Sequence, residues 1–326
     1  MSRIRIPAEW SDHRRMFTAW PSHADLWKED LTEARNEVAA MVRALSSGEP
    51  VTVLACGDEA LASARKALDR YATVEVALFG DIWLRDTGPI FAFEGNRLTA
   101  LRFLNNGWGG KYPLLHDDTI GDELAERAAA PIRKHSFILE GGAVEHNGQG
   151  WVLTTRQCLL NPNRNPDWAQ RDAERCLKEA LGCERVMWLQ RGMLNDHTDG
   201  HVDNLARFIG ENTVVCQHGF GDDDPNTELY FEIAAELAMM GLQVCTIPSP
   251  GRIVNEEGRV MPASHLNFVI GNKTVVVPVY GTESAEEAVT LLQRVFPDRQ
   301  VVGLRSSALL TGGGSFHCIT QQEPMP

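Results

Sequence analysis

Apolar and polar positions along the chain repeat in a fixed order: two short β-type runs, a helix, and a third strand. In the first unit, "IFAF" and "LTALRF" flank the turn "EGN", and a helix near 121–130 and the strand "HSFIL" follow. Short runs of β-branched and aromatic residues bounded by turn residues are typical of strands. Apolar residues spaced three and four apart, as at Ala288, Leu291, Leu292 and Val295, are typical of a helix packed on a sheet.

The same order recurs three more times. The later units are "AVEH", "WVLTT", a helix over 167–181 and "RVMWL"; "LARFI", "TVVCQ", a helix over 227–240 and "LQVCTI"; and "LNFVI", "TVVVPV", a helix over 283–296 and "QVVGL". The chain ends supply "MFTAW", a helix over 31–45 and "VTVLA", and "HCIT" near the C-terminus would complete a fifth unit. A helix–strand pair over 59–78 fits as an insertion.

This order predicts an α/β fold in which five ββαβ modules form a closed five-module propeller. The C-terminal strand would pair with the N-terminal one, and closing the ring would remove exposed sheet edges. An open α/β sheet is the alternative, because helix–strand alternation alone does not distinguish the two, and the repeated hairpin favours the ring. No linker or low-complexity segment divides the sequence, so residues 1–326 are expected to form a single catalytic domain.

Composition narrows the class of protein. The chain has 326 residues, of which 43% are hydrophobic and 23% charged, with a formal net charge of −13. This charge argues against nucleic-acid binding and suits a small cationic substrate. The sequence has no long apolar run, no signal-peptide pattern in "MSRIRIPAEW", and seven cysteines without framework spacing. We therefore expect a cytoplasmic protein with reduced thiols and no membrane partner.

Polar segments punctuated by glycine fall at the same point between modules. They are "DIWLRDTGP", "EGG", "DHTDGHVDN" and "TGGGSFHC". In a ring these loops would converge at one mouth, and loops held by a rigid scaffold commonly carry chemistry.

Cys318 is the candidate nucleophile among the seven cysteines. The glycines at 312–314 before it permit a tight turn that presents the thiol and leaves backbone N–H groups facing a substrate. If "HCIT" is a strand, His317 faces away from whatever Cys318 attacks, so His317 is expected to be structural. The alternative for Cys318 is a small buried apolar residue.

His201 and Asp203 are the candidates for proton transfer. They stand two residues apart after Gly200, so an extended backbone would place both side chains on one face. An imidazole and a carboxylate delivered together suit a proton shuttle beside a cation-binding group.

Trp83 and Asp86 in "DIWLRDTGP" suit recognition of a planar cation, because a carboxylate matches two N–H groups and an aromatic face covers the cation. Arg85 could simply form an exposed ion pair with Asp86, and Trp83 could be plain core packing. The histidine- and aspartate-rich run, together with Asp81, Asp86 and Glu140, also leaves a metal-dependent hydrolase open.

Several segments together resemble the agmatine deiminase family, within the guanidine-modifying superfamily that also includes bacterial peptidylarginine deiminases. They are "IPAEWSDHRRMFTAWPSHADLW", "DIWLRDTGPIF", "NNGWGGKY", "LEGGAVEHNGQGWVLTT", "CLLNPNRNP", "TDGHVDNLARF" and "GGGSFHCITQQEP". The resemblance runs from end to end and implies the five-module α/β propeller of the pentein type.

The resemblance implies that Cys318 is the nucleophile, that His201 is the general acid and base, and that Asp86 and Asp203 hold the guanidinium nitrogens. A covalent amidino-cysteine would form and be hydrolysed, so neither a metal nor an organic cofactor is expected. The implied activity is hydrolysis of agmatine to N-carbamoylputrescine and ammonia, in polyamine biosynthesis.

Further substrate-binding candidates are Trp83, Trp108, Glu140, Asp199 and Gly314. The first three lie in segments that line the family's substrate tunnel, and Asp199 and Glu140 are the candidates for the distal amine. The chain departs from the family pattern at Ser315, Phe316 and Gly107. Free or peptidyl arginine therefore stays open as the alternative substrate, and a homodimer is plausible.

Overall fold

The computed structural model describes residues 4–326, and in that range the strands form five separate sheets of three or four strands. The strands are β1 (Ile4–Arg5), β2 (His13–Ala19), β3 (Val51–Ala55), β4 (Thr73–Val76), β5 (Ile90–Glu94), β6 (Arg97–Leu104), β7 (Ile132–Ile138), β8 (Val144–His146), β9 (Trp151–Thr155), β10 (Arg185–Leu189), β11 (Ala206–Gly210), β12 (Thr213–His218), β13 (Gln243–Pro248), β14 (Val269–Ile270), β15 (Thr274–Val279), β16 (Gln300–Arg305) and β17 (Thr320–Pro324).

The helices alternate with these strands. They are α1 (Ala24–Trp27), α2 (Leu31–Leu45), α3 (Asp58–Leu68), α4 (Leu84–Thr87), α5 (Gly107–Gly110, an irregular turn), α6 (Ile120–Arg127), α7 (Arg156–Leu159), α8 (Gln170–Leu181), α9 (Thr227–Met239), α10 (Ser284–Val295) and α11 (Ser307–Thr311). Short 3₁₀ turns lie at Lys28–Asp30, Gly141–Ala143 and Val202–Asn204.

Three sheets share one connectivity: β8–β9–β10, β11–β12–β13 and β14–β15–β16. In each, the first two strands form an antiparallel hairpin, and the third lies parallel to the second after a helix. A parallel neighbour requires a crossover connection, and α8, α9 and α10 provide it. The sheet β1–β5–β6–β7 repeats this pattern with α6 and adds β1 at its edge. The predicted ββαβ order is therefore confirmed in four units.

The two ends of the described chain share the fifth sheet, β17–β2–β3–β4. Strand β17 runs antiparallel to β2, with Thr320 opposite Thr18, and α2 and α3 connect the parallel strands. The predicted helix–strand unit over 59–78 becomes α3 and β4 at the edge of this sheet. Five separate sheets rule out the alternative of one open sheet for residues 4–326.

The hydrophobic core is centred on the helix-covered sheets. Its first cluster packs α2 and α3 on β2 and β3 and extends to Trp27 and Trp83, so the walls of the cavity described below belong to the core. All five residues of β3 are buried, as expected for a parallel strand covered on both faces. Within residues 4–326, no helix combines the length and apolar character needed to cross a bilayer.

Two local predictions are wrong. "HCIT" is not a strand, because residues 316–319 form a turn and β17 begins only at Thr320. The backbone N–H groups of His317 and Cys318 donate to the side-chain oxygen of Asn267 and not to a neighbouring strand. The backbone from His201 to Asp203 is not extended either, because Val202–Asn204 is a 3₁₀ turn.

Candidate active site

A cavity of about 370 Å³ opens where the polar loops between modules meet. Five of the predicted site residues line it: Trp83, Asp86, Trp108, Gly314 and Cys318. Its mouth adds residues from α1 and the 3₁₀ turn that follows, including Trp27, Lys28, Glu29 and Asp30. Three of the four loops that the sequence singled out, all but "EGG", therefore contribute residues to one cavity.

The thiol of Cys318 lies at the inner end of the glycine run and is 5% exposed. Its Sγ atom is 3.1 Å from Asn267 Nδ2 and 3.8 Å from Asp203 Oδ2. Burial and the carboxylates of Asp203 and Asp86 raise the pKa of this thiol well above its usual value. In the unliganded protein Cys318 is therefore a neutral thiol at neutral pH.

Gly314 keeps the space beside the thiol open. A Cβ atom at this position would lie 3.1 Å from Cys318 Sγ and 2.7 Å from a ring carbon of Trp83. Any larger residue would push the nucleophile or the aromatic wall out of place. The role of Gly314 seen here is steric, and its contact with substrate stays a prediction.

Asp86 lies in α4 on the cavity wall, and its two oxygens are held separately. Trp108 Nε1 donates to Oδ2 at 2.7 Å, and the backbone N–H of Gly142 donates to Oδ1 at 2.9 Å. Trp108 adopts a positive φ of 52°, inside the glycine-rich turn α5, and this conformation directs the indole at Asp86. Two donors from different modules thus orient one carboxylate.

Trp83 and Trp27 form an aromatic wall, with ring centroids 6.0 Å apart. Both indole N–H groups donate to Asp81, at 2.9 Å and 3.0 Å. Burial raises the pKa of Asp81 despite these bonds. Asp81 therefore orients the wall, which gives this predicted metal-ligand candidate a structural role.

His201 is fully buried and does not line the cavity; it lies beside Asp86. Its Nδ1 is 3.7 Å from Asp86 Oδ2, and its Nε2 is 4.0 Å from Glu140 Oε2. Within the described residues, neither ring nitrogen has a hydrogen-bond partner. Burial alone would lower the pKa of the imidazole, but Asp86, the nearby Cys158 thiol and Glu140 outweigh it and raise the pKa well above its usual value. The raised pKa favours the protonated imidazole of His201, beside Asp86 and Cys158.

His317 does not line the cavity, in agreement with the prediction, but its ring binds a carboxylate of the site. Its Nδ1 is 2.8 Å from Asp203 Oδ2, and its Nε2 is 2.9 Å from Glu9 Oε1. Only the premise of the prediction is wrong, because the chain turns where a strand was expected. Burial raises the pKa of Asp203, but the hydrogen bond and charge of His317, with His201 and Arg207, lower it below its usual value. Asp203 is therefore ionised.

Glu9 links this part of the site to two buried arginines, although no pattern in the sequence pointed to Glu9. Arg85 Nη1 lies 3.2 Å from Glu9 Oε1, and Arg207 Nη2 binds Glu9 Oε2. The expectation that Arg85 forms an exposed ion pair with Asp86 is wrong, since Arg85 is buried and its partner is Glu9. Burial raises the pKa of Glu9, but His317 and the two arginines bring it well below its usual value.

Glu140 and Asp199, the two predicted contacts for a distal amine, do not line the cavity. Arg164 holds both, with its Nε 2.6 Å from Glu140 Oε1 and its Nη1 2.6 Å from Asp199 Oδ2. Lys111 Nζ is a further 2.6 Å from Asp199 Oδ1. Their charges are thus compensated internally, which corrects that prediction. Arg164 lies in "CLLNPNRNP", one of the segments that carry the resemblance, but no local pattern assigned it a role.

One group in residues 4–326 has metal-ligand spacing: Glu140, Cys158 and His201, whose ligand atoms lie within 4.8 Å of one another. Arg164 already pairs with Glu140, so the charge of this carboxylate is compensated without a metal. The arrangement therefore fits a proton donor flanked by a carboxylate and a thiol better than a metal centre.

The chain matches the family model of Porphyromonas-type peptidyl-arginine deiminase over residues 5–324. An agmatine deiminase of Stutzerimonas stutzeri (strain A1501) is 35% identical to it, over 98% of this chain and 95% of the relative. Both matches span nearly the whole sequence.

Solved structures agree. An agmatine deiminase of Enterococcus faecalis superposes with a TM-score of 0.93 at 30% identity, covering 99% of this chain and 96% of that one. A C. jejuni agmatine deiminase with a cysteine-to-serine substitution, solved with substrate bound, gives a TM-score of 0.93 at 29% identity and covers 99% and 97%. The resemblance seen in the sequence is confirmed, and the chain belongs to the Porphyromonas-type peptidyl-arginine deiminase family.

Proposed function

We propose that this protein is an agmatine deiminase, which hydrolyses the guanidinium of agmatine to N-carbamoylputrescine and ammonia. The observation that carries the proposal is the position of Cys318: its thiol lies at the end of a tryptophan-walled cavity, flanked by the carboxylates of Asp203 and Asp86. The relatives with matching fold and sequence are named agmatine deiminases, which supports the same activity here.

Asp86 and Asp203 would fix the planar cation. A guanidinium offers paired N–H groups that match carboxylate oxygens, and the indoles of Trp83 and Trp108 would cover its faces and alkyl chain. The buried cation would compensate both carboxylates, which removes part of what raises the pKa of Cys318. Binding of the substrate would thus favour loss of the thiol proton to solvent.

The thiolate would attack the central guanidinium carbon and form a C–S bond. The imidazolium of His201 would give its proton to one NH₂ group, the C–N bond would break, and ammonia would leave. An alkylated amidino-cysteine would remain on Cys318, and His201 would be neutral.

Water would complete the reaction. Neutral His201 would take a proton from a water molecule, the oxygen would attack the same carbon, and the C–S bond would break. The products would be the ureido compound and the thiolate, with His201 protonated again, and the remaining hydroxyl proton would pass to solvent, where ammonia takes it up as ammonium. Agmatine and water would give N-carbamoylputrescine and ammonia without oxidant, metal or cofactor.

Charge at the cavity mouth favours agmatine over arginine. Glu29 and Asp30 line the mouth, and Lys28 is the one Lys or Arg among the cavity-lining residues of the described chain. A distal ammonium would be attracted by these two carboxylates, whereas the α-carboxylate of arginine would be repelled. Glu29 and Asp30 thus replace Glu140 and Asp199 as candidates for the distal amine.

We further infer that the five sheets surround the cavity as a closed five-module propeller and form one catalytic domain over 1–326. The repeated sheet connectivity and the pairing of β17 with β2 support this arrangement. A cytoplasmic location and a homodimer stay predictions from the sequence.

Ammonia release tests the function. The purified protein is incubated with agmatine, free arginine or a peptide ending in arginine, each with and without EDTA. We expect fastest release from agmatine, no effect of EDTA, and no release by Cys318→Ser. Faster turnover of arginine would overturn the substrate, and loss of activity with EDTA would favour the metal-dependent alternative.

A further inference from the structure

Asn267 is a fully buried side chain that touches the thiol of Cys318. It lies between the turn at Leu266 and strand β14, and 1% of it is exposed. Its Nδ2 is 3.1 Å from Cys318 Sγ and 3.3 Å from Asp203 Oδ2. One amide group therefore contacts both the sulfur and a carboxylate of the candidate site.

The orientation of this amide is fixed by its other end. Asn267 Oδ1 accepts hydrogen bonds from the backbone N–H of His317 at 3.1 Å and of Cys318 at 3.2 Å. A backbone N–H can only donate, so the oxygen must face the turn and the NH₂ group must face the sulfur. Flipping the amide would place its N–H groups against the two backbone N–H groups of the turn, so only one orientation satisfies these donors.

The NH₂ group has more acceptors than protons. Besides Cys318 Sγ and Asp203 Oδ2, the oxygen of Asn204 lies 3.0 Å from Asn267 Nδ2. The two N–H protons are therefore shared among three acceptors. If the thiol ionises, we expect one N–H group to donate to the sulfur alone. Hydrogen bonds to an ionised acceptor are about twice as strong as neutral ones.

We infer that Asn267 activates the nucleophile: its amide oxygen holds the turn that presents Cys318, and its N–H donates to the sulfur and stabilises the thiolate. This inference rests on the proposed role of Cys318 as the nucleophile. It assigns to one residue, in the otherwise apolar run "LNFVI", two functions that the backbone turn alone cannot supply. Asn267 also contacts Asp203, so it keeps the carboxylate and the thiol at a set separation.

The test measures thiolate formation directly, without substrate. Iodoacetamide alkylation of Cys318 is followed against pH by peptide mass spectrometry, which separates Cys318 from the other six cysteines. Asn267→Ala removes the donor without adding charge. We expect its alkylation rate near pH 8 to fall about tenfold, with the inflection about one pH unit higher than in the wild type. For agmatine turnover, kcat should fall at least about tenfold, while KM changes less than about threefold.

Two further variants separate this role from a structural one. Asn267→Asp keeps an oxygen for the backbone N–H groups of the turn, loses the donors and adds charge, so its inflection should move further than that of Asn267→Ala. Asn272→Asp makes the same change at a half-buried asparagine whose side chain bonds to the backbone of His13 and lies outside the cavity; it should leave the inflection in place.

An unchanged inflection in a folded Asn267→Ala protein would overturn the inference. If that variant does not fold, an unchanged inflection in Asn267→Asp would do so. Because alkylation needs no substrate, the two proposals fail separately. A shifted inflection in a protein that does not turn over agmatine would retain the role of Asn267 and reject the deiminase function.

Discussion

His317 Nδ1 lies 2.8 Å from Asp203 Oδ2, so the histidine next to the nucleophile binds the carboxylate that flanks the nucleophile's thiol. The other ring nitrogen reaches Glu9, which two buried arginines also hold. The position of Asp203 therefore depends on a buried network of charged groups behind the cavity.

Because His317 binds Asp203, we predict that His317→Ala lowers both the stability and the catalytic rate of the enzyme. Loss of the imidazole removes one hydrogen bond from each of two buried carboxylates, Asp203 and Glu9, which should cost about 3 kcal/mol of unfolding free energy. The kcat for agmatine should also fall at least about tenfold, because Asp203 loses its main donor. Urea unfolding and steady-state kinetics measure the two effects. His218→Ala, at an exposed histidine, is the control and should change neither. A wild-type kcat in a folded His317→Ala protein would show that His317 contributes only to stability.

The charges at the cavity mouth give a prediction about affinity. Glu29→Gln and Asp30→Asn should each raise KM for agmatine about two- to fivefold with little change in kcat, since exposed ion pairs are weak. The effect should shrink at high salt because these side chains are solvent-accessible. Glu33→Gln, an exposed acid in α2 outside the cavity, is the control. Equal KM values for all three variants and the wild type would show that the distal amine binds elsewhere.

Gly142 gives a steric prediction. A Cβ atom here would lie 2.7 Å from His201 Nδ1 and 3.0 Å from both Asp86 Oδ1 and Asp203 Oδ2. Gly142→Ala should therefore displace the reacting groups and lower kcat/KM at least about 100-fold, the scale of a 1 Å misplacement. Gly210→Ala, where the added atom meets only ordinary contacts at 3.6 Å, should leave activity unchanged. Activity of Gly142→Ala within a few fold of wild type would mean that these three groups can move apart without loss.

The shifted pKa values predict an alkaline optimum for the free enzyme. The thiolate is the reactive form, and the pKa of Cys318 is raised, so kcat/KM should increase between about pH 6 and pH 9. It should fall again where His201, whose pKa is also raised, loses its proton. Initial rates at low agmatine concentration measure this profile, with circular dichroism at each pH to exclude unfolding. A kcat/KM that stays constant from neutral pH upward would contradict the prediction that Cys318 is protonated in the free enzyme.

Sequence patterns anticipated the modules well because their determinants are local. A hairpin such as "AVEH" and "WVLTT", followed by an amphipathic helix, carries its own turn residues and periodicity. Cys318, Trp83 and Asp86 were also identifiable, since glycine-rich or polar loops between apolar elements mark them. Both the loops and their convergence on one cavity follow from the order of elements.

The remaining features depend on partners distant in sequence. "HCIT" has the composition of a strand, but Asn267, fifty residues earlier, binds its backbone N–H groups and turns it. In the sequence, Glu140 is a candidate to bind substrate, but in the structure its carboxylate is paired with Arg164. No local pattern reports either contact, because each forms only when separate modules pack together.

The most direct test of the account is peptide mass spectrometry of the enzyme quenched during turnover of agmatine. We predict a covalent amidino adduct carrying the alkyl chain of agmatine on Cys318, absent before substrate is added and absent in Cys318→Ser. The adduct on Cys158 instead, beside His201, would contradict the assignment of the nucleophile. Sustained ammonia release with no adduct on any cysteine, in a reaction that EDTA abolishes, would contradict covalent catalysis itself.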